Sequence, residues 1–347
     1  MKKLPFFLSL SLILGVFASC NSRLELYADY KDVPVIYGLI DATQDTNYMK
    51  IVRAFSGTND NPIDATQVAL IADSNNYPGK LDARIIEYKS SAGGQYTPTG
   101  REIMLDTITI HDKHYGVFYA PNQKVYFCTQ PFYMDNVSTK YKYKLVVVTP
   151  HDTITSETNV VGGDNFKILT TSVTFTPDGE DKTGKISFTP ADNAVVYEVS
   201  VEFNYQEKKM SGPLVDKQVS WSYGAIHNDD LEYESGHYVV KYNQATLFNA
   251  LASAIGADTL GVERYFNRND SFKIHLAAGG RELYNYIQIN SPSEGFSQTI
   301  PDYTNVNGGF GVFSSRINLN QNVALSAKTC TELIGMKSWG FIQQAKE

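Results

Sequence analysis

From Tyr197 to Gln206 apolar and polar residues alternate without a break, and Val195 continues the apolar set. Val195, Tyr197, Val199, Val201, Phe203 and Tyr205 are interleaved with Val196, Glu198, Ser200, Glu202, Asn204 and Gln206. A period of two places one set on a single face of a strand, whereas a helix would scatter the same residues around its cylinder. This stretch therefore predicts a strand with one dry face. A second run, Val215, Lys217, Val219, Trp221 and Tyr223 against Asp216, Gln218, Ser220 and Ser222, follows the turn residues Ser211-Gly-Pro213. The two runs predict an antiparallel pair.

The same texture fills the first half. Strands are expected at 33–40, 48–55, 67–72, 81–88, 103–110, 115–119, 124–129 and 141–148, separated by turn clusters such as Asn59-Asp-Asn-Pro62, Asn75-Asn-Tyr-Pro-Gly79 and Ala92-Gly-Gly94. Short strands at this spacing, without alternating helices, predict a mainly β chain built as β-sandwiches of immunoglobulin or fibronectin type. Helix signals are few. Residues 244–255 carry Leu247, Phe248, Leu251 and Ile255 on one face, with Asn243 as N-cap and Gly256 just past the end, and residues 281–289 carry Leu283, Tyr284 and Ile287. Gly162-Gly-Asp-Asn165 interrupts the strand pattern, so the expected division is a β-sandwich over residues 20–162 and a β-rich domain with one or two short helices over 163–347.

Residues 1–19 read as a leader. Lys2 and Lys3 form a charged start, Leu4 to Phe17 an apolar run, and Ala18-Ser19 precede Cys20 with the small residues a signal peptidase accepts. Cys20 has the position of a lipid-attachment cysteine. The apolar run is broken by Pro5, Ser9 and Ser11 and is shorter than the roughly 20 residues that span a bilayer. Several acyl chains on Cys20 would hold the mature body on a membrane without crossing it. The formal charge is −7, and Lys2 and Lys3 would leave with the leader. An acidic body argues against a nucleic-acid footprint, which needs clustered Lys and Arg, and against electrostatic docking on anionic lipid.

Motifs that would carry chemistry are sparse. His111 and His114 lack a Glu or Cys at zinc-site spacing and read as a solvated turn. Asp41, Asp45, Asn47 and the Asn59–Asp64 stretch lack the spacing of a calcium loop and read as turn-capping residues. Gly308-Gly-Phe-Gly311 is followed by a strand pattern rather than the helix a phosphate loop needs. No Gly-x-Ser-x-Gly elbow or His-Glu-x-x-His helix occurs, and no cofactor or metal is expected. Cys128 and Cys330 read as two buried free thiols or, in an oxidising compartment, as a disulfide between the two halves, and the sequence does not choose. The chain has 23 Tyr and 18 Phe beside 2 Trp. Strand cores and rims account for most of these, and Tyr126, Phe127, Phe132, Tyr133, Trp221 and Tyr223 are the candidates for a binding face.

Three internal motifs join the Cys20 leader. These are Val35-Ile-Tyr-Gly-Leu-Ile40 followed by Phe55-Ser-Gly57, Leu283-Tyr-Asn-Tyr286, and Asn305-Val-Asn-Gly-Gly-Phe-Gly-Val-Phe313. Together they resemble a family of Bacteroidetes outer-membrane lipoproteins that share the domain of unknown function numbered 4249. The resemblance departs from the family pattern at Val306 and beyond the glycine motif. It implies a lipid-anchored envelope protein that acts as a non-catalytic accessory to a TonB-dependent outer-membrane transporter, and it carries over no catalytic residue. Gly308, Gly309 and Gly311 are then expected to serve the backbone, where a Cβ would not fit. Asn21 is not the Asp that retains many Gram-negative lipoproteins on the inner membrane, and the sequence does not choose between the periplasmic and surface faces. Two other classes are carried forward: a pilin-like structural or adhesive lipoprotein, and an envelope carbohydrate-active enzyme with two carboxylates distant in sequence.

Overall fold

The computed structural model describes residues 33–54, 75–91, 94–111, 122–255, 261–290 and 303–344. The leader, Cys20, the Phe55-Ser-Gly57 loop, the expected strands at 67–72 and 115–119, the Asn59–Asp64 stretch and His114 lie outside the described residues. What is described is mainly β, in layered sheets, with three short helices.

The first strands are β1 (Val33–Ile40), β2 (Asn47–Ala54), β3 (Asp82–Ser91), β4 (Thr97–Met104), β5 (Asp106–Ile110), β6 (Gln123–Cys128), β7 (Thr139–Val148) and β8 (Thr153–Asn159). The expected run at 103–110 is two strands. Leu105, 1% exposed, marks the point where the chain leaves the sheet ordered β4-β3-β7-β8 and enters the sheet holding β5 and β6. Its N–H donates to the Ala83 carbonyl at 2.9 Å, so the change of sheet leaves no orphan donor. Ile36, Met49, Ile51 and Tyr126 from one layer meet Ile85, Ile103 and Leu145 from the other in a closed apolar cluster.

The later strands are β9 (Ser172–Val173), β10 (Thr183–Phe188), β11 (Ala194–Lys209), β12 (Leu214–His227), β13 (Glu232–Glu234), β14 (His237–Asn243), β15 (Val262–Asn267), β16 (Phe272–Gly280), β17 (Phe310–Leu325) and β18 (Phe341–Gln344). The alternating run is β11, with Tyr197, Val199, Val201, Phe203 and Tyr205 buried. It is long enough to take two partners along one edge, β16 through Ala194–Phe203 and β15 through Gln206–Lys209, while β12 follows antiparallel on the other. This layer faces the small sheet β10-β14-β13, and Val199, Phe203 and Leu276 share a second cluster with Ile186, Phe188 and Val240. Val160 belongs to the first cluster and Val161 to the second.

Two of the helices fall on the expected segments. Helix α1 (Thr246–Ile255) buries Leu247, Phe248 and Leu251, and the Asn243 side chain accepts from the Ala245 N–H at 2.7 Å just before it. Helix α2 spans Arg281–Asn290. A third, α3 (Ala327–Gly335), was not expected and corrects the count of one or two. Its start signal is Ser326, whose hydroxyl accepts from the Thr329 N–H, and its buried face is Thr329, Cys330 and Leu333. Cys128 and Cys330 are both buried free thiols in different clusters, and burial pushes the Cys128 thiol up to about 11.

One pairing crosses the whole chain. β1 lies parallel to β17, with Val35 opposite Phe310 and Ile40 opposite Ser315, and so joins the strands of the first half to those of the second in one eleven-stranded sheet. The glycine motif shapes this contact. Gly311 has φ +102°, and a Cβ there would collide with the Ile36 carbonyl oxygen, while one on Gly309 would lie 2.6 Å from the Pro34 carbonyl oxygen. Glycine removes the atom that would hold the strands apart. Asn305 works beside it like a strand residue, donating from Nδ2 to the Phe313 carbonyl at 2.7 Å and accepting from the Phe313 N–H at 3.0 Å. The Ser315 hydroxyl donates to the Ile40 carbonyl at 3.0 Å and accepts from the Val161 N–H at 3.0 Å.

Two alanine substitutions separate backbone strain from steric conflict. Gly224 has φ +84° but open space around its missing Cβ. Gly224→Ala should cost about 1–2 kcal/mol, the left-handed penalty alone. Gly311→Ala should cost roughly 3–5 kcal/mol, because strand separation adds to that penalty. Urea unfolding of both variants checks this, and equal losses would remove the steric role of Gly311.

Candidate functional site

The run Val33–Ile40 is apolar on both faces. Ile36, Gly38 and Ile40 point into the first cluster, and Val35, Tyr37 and Leu39 point to the opposite side. A strand that is apolar on its second face needs a cover there. Helix α2 supplies part of it. Ser314, outward on β17, accepts from the Leu283 N–H at 3.2 Å and donates to the Glu282 carboxylate at 3.3 Å, which seats the first turn of the helix on the strand.

Beside α2 this outer face opens into a groove of about 600 Å³. Tyr37, Tyr48 and Tyr286 supply its aromatic surface, and Arg316 and Asn318 on β17 its polar side, with Gln44 and Thr46 from the β1–β2 turn at one end. Tyr37 is 42% exposed and Tyr48 52%, so each keeps ring surface available while its base is covered. Tyr37 meets Tyr286 edge-on at 6.0 Å between ring centres. Burial, together with a hydrogen bond to the Tyr286 side chain, pushes the Tyr37 phenol up to about 12. Among the described residues no hydrogen bond or ion pair holds the Arg316 guanidinium.

Asp41 is the acidic residue lining the groove, and it is committed to the turn. Its Oδ1 accepts from the Thr43 N–H at 2.9 Å and the Thr43 hydroxyl at 2.6 Å, and its Oδ2 from the Asn318 amide at 3.2 Å. Asn47, also buried, closes the same turn by accepting from the Asp41 N–H at 2.7 Å. The groove therefore offers ring faces, neutral amides and a planar cation. Such a set can hold a ligand with apolar surface and a carboxylate or phosphate, which the guanidinium fork matches in shape.

The six aromatic residues singled out from the sequence do not form one face. Tyr126 and Phe132 are 1% and 4% exposed and belong to the first cluster, the Tyr126 hydroxyl accepting from the Leu81 N–H at 2.9 Å. Neither has a surface to offer a ligand. Tyr133 is exposed beneath a cation: the Arg101 guanidinium lies 5.1 Å from its ring centre. Arg101 also binds the Glu87 carboxylate at 2.6 Å and the Pro131 carbonyl at 2.6 Å, and buried Glu87 accepts from the Tyr143 hydroxyl at 2.9 Å. That arrangement ties three strands, β3, β4 and β7, to a loop. Trp221 and Tyr223 sit in the other half of the molecule, the indole N–H donating to the Tyr223 hydroxyl at 2.8 Å and the indole packing on Phe175 and Phe272. Burial pushes the Tyr223 phenol up to about 12, with the Trp221 hydrogen bond pulling the other way.

None of the six lines the groove, and Phe127 reaches it only through a neighbour. It pairs with Tyr48 across β2 and β6, their ring centres 6.3 Å apart. Tyr37, Tyr48, Tyr286 and Arg316 were not among the binding-face candidates read from the sequence, although Tyr37 and Tyr286 lie within two of the quoted motifs; the run at 33–40, apolar on both faces, is a signal that could have led to Tyr37 alone. At the other sequence candidate, His111 hydrogen-bonds Asn122 at 2.8 Å, and among the described residues no group of three or more His, Cys, Asp or Glu could hold a metal ion. No described helix is long and apolar enough to cross a membrane.

No protein-family model matches the chain, and no curated protein does. The likeness to the 4249 lipoproteins thus rests on the motifs quoted above.

The Tyr37 phenol gives the groove a pH signature. Its raised value means that the folded state favours the neutral phenol, so this contribution to stability is complete below about pH 10, the ordinary tyrosine value, and is lost as pH rises through about 12. Tyr37→Phe should therefore lose less stability than the parent between pH 9.5 and pH 12 in urea titrations, each pH an approximate working point. Parallel curves would place the phenol in open solvent.

Proposed function

We propose that the chain is a lipid-anchored cell-envelope protein of the outer membrane that binds a ligand in the β1–β17 groove and serves a TonB-dependent uptake system as a non-catalytic accessory. The observation that carries the binding role is the groove itself, where half-exposed tyrosines stand beside a guanidinium with no partner among the described residues. Ring faces gain by leaving water, and an exposed guanidinium with no internal partner is free to make a bidentate, charge-assisted contact with a complementary ligand. The anchor rests on Lys2-Lys3, the apolar run to Phe17 and Ala18-Ser-Cys20, and the transporter on the likeness of the motifs around Val35, Leu283 and Asn305 to the 4249 lipoproteins. The groove lining holds Asp41 as its acid, and Asp41 is occupied by Thr43 and Asn318, so the two-carboxylate arrangement of a glycoside hydrolase gains no support there.

Two variants test the halves of this reading separately. Cys20→Ser should release the protein from the membrane fraction, since the acyl anchor depends on that sulfur. A C-terminally tagged parent chain, purified from detergent-solubilised outer membranes, should bring down a TonB-dependent transporter. The double variant Tyr37→Ala, Arg316→Ala should remain folded and anchored yet fail to restore growth of a deletion strain on the nutrient concerned. Recovery of no transporter, together with unimpaired growth of the deletion strain on every nutrient tried, would overturn the accessory role.

A further inference from the structure

The longest hairpin among the described residues ends in an apolar tip ringed by lysines. β11 and β12 remain paired to Lys208 opposite Leu214, and the turn between them is Met210-Ser-Gly-Pro213, closed by the Gly212 N–H donating to the Lys209 carbonyl at 2.9 Å. Met210 is 85% exposed, Leu214 48% and Val215 44%. Three neighbouring exposed aliphatic side chains at the end of this hairpin, where β15 flanks β11 up to Lys209, are more than fold stability calls for, because none of them contributes to the cluster beneath β11.

Charge distinguishes this tip from the rest of the acidic body. Lys208, Lys209 and Lys337 surround a hollow floored by Gly261 and Val262, and among the described residues none of the three ammonium groups is in an ion pair. Of the nearby acids, Glu207 is neutralised by Arg264 at 2.9 Å. Asp216 accepts from the Gln206 amide at 3.0 Å and Glu263, on the rim of the hollow, from the Tyr265 hydroxyl, so both keep their charge, and the three lysines outnumber them. The formal charge of −7 describes the whole chain, but a surface within a Debye length, about 10 Å at 0.1 M salt, responds to the local cluster.

We propose that the β11–β12 tip is a second, lipid-independent membrane contact, in which Met210, Leu214 and Val215 enter the interface of an anionic bilayer while Lys208, Lys209 and Lys337 meet its phosphates. Aliphatic side chains gain by leaving water, lysine stems can bury their methylenes with the ammonium at headgroup level, and each adjacent lysine strengthens attachment about fivefold on an anionic surface. The contact does not depend on the ligand groove, and it refines the expectation that an acidic chain avoids anionic lipid.

The test uses the mature chain from residue 21, which cannot be acylated and keeps every described residue, in co-sedimentation with phosphatidylglycerol vesicles and with phosphatidylcholine vesicles. The expected result is binding to the anionic vesicles that weakens with salt, and little binding to the neutral ones. Lys208→Glu with Lys209→Glu should weaken it by about tenfold or more, and Met210→Ser with Leu214→Ser should also weaken it, with circular dichroism and melting temperature unchanged. In Met210→Trp, the added indole emission should shift to the blue on mixing with the anionic vesicles. No binding to either vesicle, equal binding to both, or binding that survives both double variants would each overturn the proposal, including the case in which the tip docks on a protein.

Discussion

The parallel contact between β1 and β17 is the constraint on which the rest of the described fold depends. It brings together strands that begin 277 residues apart at Val33 and Phe310, and without it the two sheets would each end in an unpaired edge. Exposed edges of that kind invite pairing with other chains. The close approach is permitted by absent side-chain atoms at Gly309 and Gly311 and fixed by the amide of Asn305 and the hydroxyl of Ser315. Packing explains why the arrangement is specific: Phe313 is buried in the first cluster and Ile317, four residues on, in the second.

The same contact creates the groove. Its walls come from the outward positions of β1 and β17, from the turn after β1 and from α2, which is seated on β17 by Ser314. Each of these pieces is ordinary alone. Side by side they place Tyr37, Tyr48 and Tyr286 around Arg316, the arrangement on which the proposed binding role rests. The hairpin of β11 and β12 lies on a different part of the sheet and has its own local charge, so the proposed ligand site and the proposed membrane contact share no residues.

Much of the strand content was legible in the sequence because a dry face leaves a local, period-two trace. The alternation from Tyr197 to Gln206 gave β11 and its buried face, and Leu247, Phe248 and Leu251 marked α1. The division of 103–110 was not legible, since Leu105 is apolar in either case and only its passage between two sheets makes it a boundary. Helix α3 is short and lacks a long apolar stripe, and its Ser326 cap resembles any turn serine until the Thr329 contact is seen. The groove was hidden for a different reason. Periodicity tells which residues turn inward, but not which strand, hundreds of positions away, will lie alongside. That is also why six aromatic residues chosen by type proved to be dispersed, with Tyr126 and Phe132 filling the core and Phe127 alone beside Tyr48.

The central claim is most directly tested by a cysteine pair across the long-range contact. Val35 and Phe310 are register partners on the outer face of β1 and β17, and Cys128 and Cys330 are buried away from them. Val35→Cys with Phe310→Cys should form an intramolecular disulfide under mild oxidation, since adjacent strands bring such residues within bridging range. The pair Val35→Cys with Val312→Cys, displaced by two residues, should form it far less readily. Failure of the first pair to close, or equal closure of both, would contradict a glycine-permitted parallel joint of fixed register.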